Sequence, residues 1–163
     1  MPHLKRIIQN ATTSDLRLLR GRAIECVSLI GLAVGADKFT RDASEVMDML
    51  PKGADMAYDD PQLSKTISAW ARICTILGKQ FQPYLPFVME TVEKAASKKP
   101  EVVHLSMDNL IRARADKNWQ IIVTKGAYKA MNPYLLKPTT EACNMLLCCA
   151  RELKGAFSVQ RKL

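Results

Sequence analysis

The sequence predicts an all-α protein of stacked two-helix repeats, and three observations carry that prediction. Apolar residues recur at three and four over long stretches, the spacing of one helical face. Landmarks return in the same order: Gly35 as Gly78, Phe39 as Phe81, and Val46-Met47 as Val88-Met89, at offsets of 43, 42 and 42. The composition is that of a globular chain, with 163 residues, 48% apolar, 25% charged, seven Gly and eight Pro, which excludes collagen-like, linker and disordered readings.

Leu4, Ile7 and Ile8 look like the tail of a second helix whose partner is missing. A long first helix is expected from Asp15 to Val34. Its apolar face is read as Leu16, Leu19, Ala23, Cys26, Val27, Ile30, Ala33 and Val34, with Thr13, Ser14 or Asp15 as cap and Gly35 as stop. Gly31 and Gly35 imitate a membrane dimerisation motif, but the apolar run Val27 to Ala36 is about half a membrane-spanning length, so close helix packing or a helix stop is expected instead. The next helix runs from about Ala36 to Met49, with Phe39, Ala43, Val46, Met47 and Leu50 inward and Asp42, Glu45 and Asp48 at i, i+3, i+6 on another face. Pro51, Gly53 and Tyr58-Asp59-Asp60-Pro61 end it.

The order then repeats. Pro61 suits a first helical turn, and Leu63, Ile67, Trp70, Ala71, Cys74 and Leu77 form an apolar stripe up to Gly78. Phe81 opens the partner helix, which carries Tyr84, Leu85, Val88, Met89 and Val92; its Pro83 and Pro86 are tolerable only near a helix start or with a kink. A period in the low forties built from two amphipathic helices falls in the range of HEAT and armadillo solenoids. The expected organisation is the end of a preceding helix over 1–12, one repeat over 13–50 and a second over 61–97. An inserted loop follows over 98–138, strand-like at Trp119 to Val123, and an incomplete third repeat occupies 139–163, where Gly155-Ala156-Phe157 restores the glycine–aromatic signature. Neither end supplies a polar cap, which leaves self-association through the end helices open.

Twenty-four Lys and Arg against 16 Asp and Glu give a net charge of +8, which calls for an anionic partner to be weighed. The distribution is uneven. Residues 36–60 hold three basic and seven acidic groups, net −4, against +12 for the rest of the chain. Five cysteines, without a C-x-x-C pair, read as small buried hydrophobes of a reducing compartment rather than a disulfide framework or metal site. No apolar segment resembles a signal peptide. His3 and His104 fall in no triad or metal pattern, and Lys38 does not follow a glycine at P-loop spacing, so no enzyme and no cofactor are expected.

Several stretches carry a specific resemblance: Asp15 to Gly35, Asp42-Ala-Ser-Glu-Val-Met47, Asp59-Asp-Pro-Gln62, Ile67 to Cys74, Ile76-Leu-Gly-Lys79, Tyr84-Leu-Pro86 and, more weakly, Thr140 to Lys154. They resemble the importin-β (karyopherin-β) superfamily, within it the importin-five or Ran-binding-protein-five type, over roughly three quarters of the chain. The resemblance implies a HEAT-repeat α-solenoid segment of a nuclear transport receptor, present in cytoplasm and nucleus. It also implies binding of cargo proteins with basic localisation signals, with Ran-GTP and phenylalanine-glycine nucleoporins as family partners. The repeats through which the family contacts Ran have no counterpart in the matching stretches. Where the family has an acidic inter-repeat segment, Glu101 to Lys137 here holds six basic residues (Arg112, Arg114, Lys117, Lys125, Lys129 and Lys137) and three acidic ones.

Second helices of such repeats usually line the concave face, where carboxylates pair with Lys and Arg of a ligand. Asp42, Glu45, Asp48, Glu90 and Glu93 are therefore the candidate cargo-binding residues; each is otherwise a solvated helix charge. Trp70 lies on an apolar stripe and reads as core, while Trp119 is open enough to stack on an aliphatic cargo side chain. One alternative is a basic module binding nucleic acid or histones through Arg17, Arg20, Arg22, Arg112, Arg114, Lys125 and Lys129. Another is a degenerate scaffold with no transport role.

Overall fold

A computed structural model describes residues 1–50, 56–99, 102–106, 109–110, 113, 119–155 and 157. Helix α1 spans Pro2–Asn10, α2 Arg17–Val34, α3 Ala36–Met49, α4 Leu63–Leu77, α5 Leu85–Ser97 and α6 Lys137–Leu153. Strands β1 (Val102–Leu105), β2 (Gln120–Thr124) and β3 (Ala127–Met131) lie between α5 and α6.

The helices form two rows. In one, α4 packs between α2 and α6; in the other, α1 touches α3, and Tyr84, just before α5, reaches Ser44 of α3. Because α4 has a neighbour on each side, Leu63, Ile67, Trp70, Ile73 and Cys74 are all buried on it, and the Trp70 ring meets Phe87 edge-on at 6.2 Å between centroids. The predicted inward residues of α3 (Phe39, Ala43, Val46, Met47) and Leu50 are likewise buried. On α5, Leu85, Val88 and Val92 are buried and Met89 is half-buried, as is Tyr84 just before it. A 3-10 turn over Gly78–Tyr84 absorbs Pro83, and Pro86 falls in the first turn of α5, where its missing N–H costs nothing.

Helix α2 corrects the sequence reading. A 3-10 turn at Ser14–Leu16 precedes it in place of a side-chain cap from Thr13, Ser14 or Asp15. Its buried stripe is Gly21, Ala23, Ile24, Val27, Ser28 and Gly31, whereas Leu19, Cys26, Ile30, Ala33 and Val34 face outward. The reason is steric. Gly31 lets α3 approach until the Phe39 ring occupies the space of a β-carbon, with Cε1 2.6 Å from where one would stand. Gly35, at φ +79°, then breaks the helix in a conformation that favours glycine. Both roles expected of this glycine pair, close packing and stop, are therefore present.

The cysteine expectation holds for Cys74 and Cys149, which are buried and free, and fails for Cys26 and Cys143, which are exposed and free. Pro51 and Gly53, read as a helix end, and Arg112, Arg114, Lys117, Ala156 and Ser158 to Leu163 lie outside the described residues.

The segment expected to be mainly loop contains an antiparallel sheet of order β1-β3-β2. Lys125 and Gly126, at φ 48° and 78°, make the two-residue turn between β2 and β3. Pairing puts Val103, Leu105, Ile121, Val123, Tyr128 and Ala130 on one face and Val102, His104, Gln120, Ile122, Lys129 and Met131 on the other. Trp119, the expected first strand residue, stands half-buried just before β2.

Tyr58 binds this insertion to the repeats. Its hydroxyl lies 2.6 Å from the Leu135 carbonyl and 2.7 Å from Thr139 Oγ1, which itself lies 3.0 Å from the Ala95 carbonyl, so two hydroxyl hydrogens serve three contacts. The Lys98 ammonium sits 5.4 Å from the Tyr58 ring centre, within cation–π range.

Candidate functional site

Charge is sorted between the first and second helices of the two repeats, α2 and α4 against α3 and α5. Helices α2 and α4 carry Arg17, Arg20, Arg22, Lys65 and Arg72 against Glu25 alone. Helices α3 and α5 carry Asp37, Asp42, Glu45, Asp48, Glu90 and Glu93 against Lys38, Arg41 and Lys94. The acidic residues of α3 sit on its outward side because Phe39, Ala43, Val46 and Met47 take the inward one.

The basic charges of the first row are largely spent internally. Across the α2–α4 seam Lys65 donates to Glu25 at 2.5 Å and Arg72 to Ser28 Oγ at 3.0 Å, while Arg22 also reaches Glu25. Burial raises the Glu25 carboxyl, but the hydrogen bonds from Lys65 and Arg22 outweigh it and hold it below the ordinary range. Arg20 donates to the Ile8 carbonyl at 2.8 Å and to the Met49 carbonyl at 3.1 Å. A cation there suits the C-terminal ends of α1 and α3. Arg17 pairs at 3.4 Å with Asp60, whose other oxygen accepts from the Gln62 backbone N–H at 2.8 Å at the start of α4.

The five candidate carboxylates divide into three situations. Asp42 and Glu45 are bridged by the Lys5 ammonium of α1, which is only 13% exposed. Burial pulls the Lys5 ammonium down, but the hydrogen bonds it donates to both carboxylates raise it above its usual value, so it stays charged. Glu90 accepts from Lys94 one turn along α5 at 2.6 Å, an exposed pair of little energetic weight. Asp48 and Glu93 are exposed, and no ion pair engages either among the described residues. Trp119 stands apart from these helices, in the insertion. Sequence reasoning missed Lys5, although its place one turn before Ile8 on a helix end beside α3 was the available signal.

Among the described residues no cluster of three His, Cys, Asp or Glu could hold a metal ion, and no helix is long and apolar enough to cross a membrane. A hydrogen bond with Cys149, together with burial, pushes the Cys74 thiol far up, which makes it a poor nucleophile.

Two-helix layers with buried faces and a charged second row define the class of protein: a HEAT-repeat α-solenoid segment. The chain is 29% identical to importin subunit beta-3 of Saccharomyces cerevisiae over 164 residues, 99% of this chain and 15% of that protein. It is 36% identical to a probable importin-5 homolog of Dictyostelium discoideum over 99 residues, 61% of this chain and 9% of that one. No protein-family profile matches. Among solved structures, Kap121p bound to Pho4p is similar at TM-score 0.76 and 28% identity, with 99% of this chain matched to 15% of that one. Kap121p bound to Nup53p (0.73, 28% identity) and to RanGTP (0.68, 29%) match over the same shares. The chain is thus similar to an internal HEAT-repeat segment of importins, and it spans 15% of the length of the yeast relative and 9% of the Dictyostelium one.

Proposed function

We propose that this segment serves a nuclear transport receptor by holding basic stretches of cargo against its second-helix row, without catalysis. The observation that supports this reading is the Lys5 ammonium seated between Asp42 and Glu45. A lysine from another element already occupies a two-carboxylate seat on α3, and a cargo lysine or arginine presents the same chemistry. Asp48 and Glu93 are the open positions, and Glu90 becomes one when Lys94, on its exposed side chain, swings away. Many weak charge contacts spread along a helix row favour fast, reversible capture over tight binding. Kap121p is seen bound to RanGTP and to Nup53p, and RanGTP and nucleoporins are proposed as partners of the receptor as a whole, which would move between cytoplasm and nucleus.

The test is fluorescence anisotropy with a labelled Lys/Arg-rich peptide and, separately, a single-stranded RNA. Replacing Asp48 and Glu93 by Asn and Gln should weaken peptide binding by about tenfold, two exposed charge contacts at roughly 0.7 kcal/mol each. Lys5→Ala should tighten it by vacating the Asp42–Glu45 seat. Peptide affinity indifferent to all these changes, with steeply salt-dependent RNA binding in its place, would favour the nucleic-acid reading.

A further inference from the structure

Among the described residues strand β2 leaves one edge open, because the sheet order β1-β3-β2 gives it a single neighbour. Natural edge strands are usually blunted by proline, charge or cover. Gln120–Thr124 has neither proline nor charge, and Ile122 and Val123 are 39% and 64% exposed. In a two-residue hairpin the residues flanking the turn form a hydrogen-bonded pair, and such pairs alternate along the ladder. From Thr124↔Ala127 onward, Thr124, Ile122 and Gln120 therefore aim their backbone groups at β3, while Ile121 and Val123 aim theirs at the free edge.

We propose that this edge pairs antiparallel with β2 of a second copy of the chain, about a two-fold axis through Ile122. The strand is self-complementary in that register. Ile121 meets the partner's Val123 as a hydrogen-bonded pair, on both sides of the axis, which uses every edge-facing N–H and C=O of the two residues. Ile122 meets its own copy as a non-hydrogen-bonded pair, and Gln120 lies opposite the partner's Thr124, amide against hydroxyl. One step further, Trp119 lies opposite the partner's Lys125, an indole against an ammonium. The register keeps sheet faces in phase, so the apolar face of Val103, Ala130 and Ile121 continues into the second copy. Like charges stay apart: the two Lys129 residues are three strand spacings from each other, about 14 Å, beyond a Debye length at physiological salt. Strand β1 offers no such match, since its in-phase register about Val103 sets His104 against Val102.

A five-residue strand on each side buries less than the roughly 800 Å² per partner of a standard interface, so the dimer is weak and concentration-dependent. Sedimentation equilibrium across the micromolar range tests it on the full chain. The wild type should show a reversible monomer–dimer equilibrium. Ile122→Lys, which sets two ammonium groups face to face on the axis, should weaken it by about tenfold or more. Val123→Pro should do the same, because it removes an edge donor and no β2–β3 bond. The helical core contains no sheet residue, so unchanged helical circular dichroism certifies the helices of each variant, and cross-strand amide protection of β2–β3 by hydrogen exchange certifies its sheet. The register has its own readout. In a Cys26→Ser/Cys143→Ser background, Ile122→Cys should cross-link to its copy under mild oxidation, since non-hydrogen-bonded pairs bring α-carbons to about 4.5 Å. Val123→Cys should not. A monomer at every concentration, association untouched by Ile122→Lys and Val123→Pro, or equal cross-linking at 122 and 123 would each overturn the proposal. So would association abolished only by Leu29→Glu on the outer face of α2.

Discussion

Replacing Gly31 and Gly21 by alanine, one at a time, should move stability in opposite directions, although both glycines are buried on α2. A β-carbon at Gly31 would stand 2.6 to 2.7 Å from three atoms of the Phe39 ring, so the ring must retreat by about 0.8 Å to reach ordinary contact. Phe39 is 1% exposed and has nowhere empty to go. Overpacking of this kind costs about 2–3 kcal/mol, and the gain in helix propensity returns about 1 kcal/mol, which leaves Gly31→Ala destabilised by about 1–2 kcal/mol. At Gly21 the same atom would find Gln62 Cα and Lys65 Cγ at 3.5 Å, ordinary contacts. Only the propensity gain remains there, so Gly21→Ala should be stabilised by up to about 1 kcal/mol. Urea melts followed by far-ultraviolet circular dichroism measure both, with unchanged m-values required for the comparison. Phe39→Leu makes room beside Gly31, and in that background the alanine penalty should vanish, a coupling of about 1–2 kcal/mol. If Gly31→Ala is as stable as the wild type, the α2–α3 approach is looser than described and the account of the α2 face is wrong.

Two further predictions rest on polar ties. Tyr58→Phe removes the hydroxyl shared by Leu135 and Thr139 and should cost about 1–2 kcal/mol, with hydrogen exchange accelerating first in the 133–139 segment rather than in α4. Glu25 should shape the acid limb of stability. Its folded pKa is depressed, so its contribution is complete above the ordinary value of 4.5 and is lost as pH falls through the folded value. Glu25→Gln should therefore be less stable at neutral pH and lose less on acidification below about pH 4.5. Identical acid limbs for the two proteins would refute this.

The elements that could be read in the sequence are those whose apolar residues fall on one side. On α3 and α4 the large side chains mark the core, and period alone finds it. Helix α2 hid its inward face because leucines and isoleucines lie nearly all round it, and small residues decide what it packs against. Gly21, Ala23, Ser28 and Gly31 weigh little on any hydrophobicity ranking, yet they permit the closest approach. In the insertion, β2 declared itself through Ile121, Ile122 and Val123, while Val-Val-His-Leu and Ala-Tyr-Lys-Ala-Met became strands only by pairing with one another. The acidic character of α3 could be counted. That two of its carboxylates hold Lys5 could not, since 37 and 40 residues of chain separate the partners.

Arg20 ends two helices with one guanidinium, at the Ile8 and Met49 carbonyls. Successive layers thereby share a knot: the last turn of α1 and the last turn of α3 draw on the same side chain. Under tension or partial denaturation the layers should peel together rather than singly, and a bend imposed at one should be felt at the next.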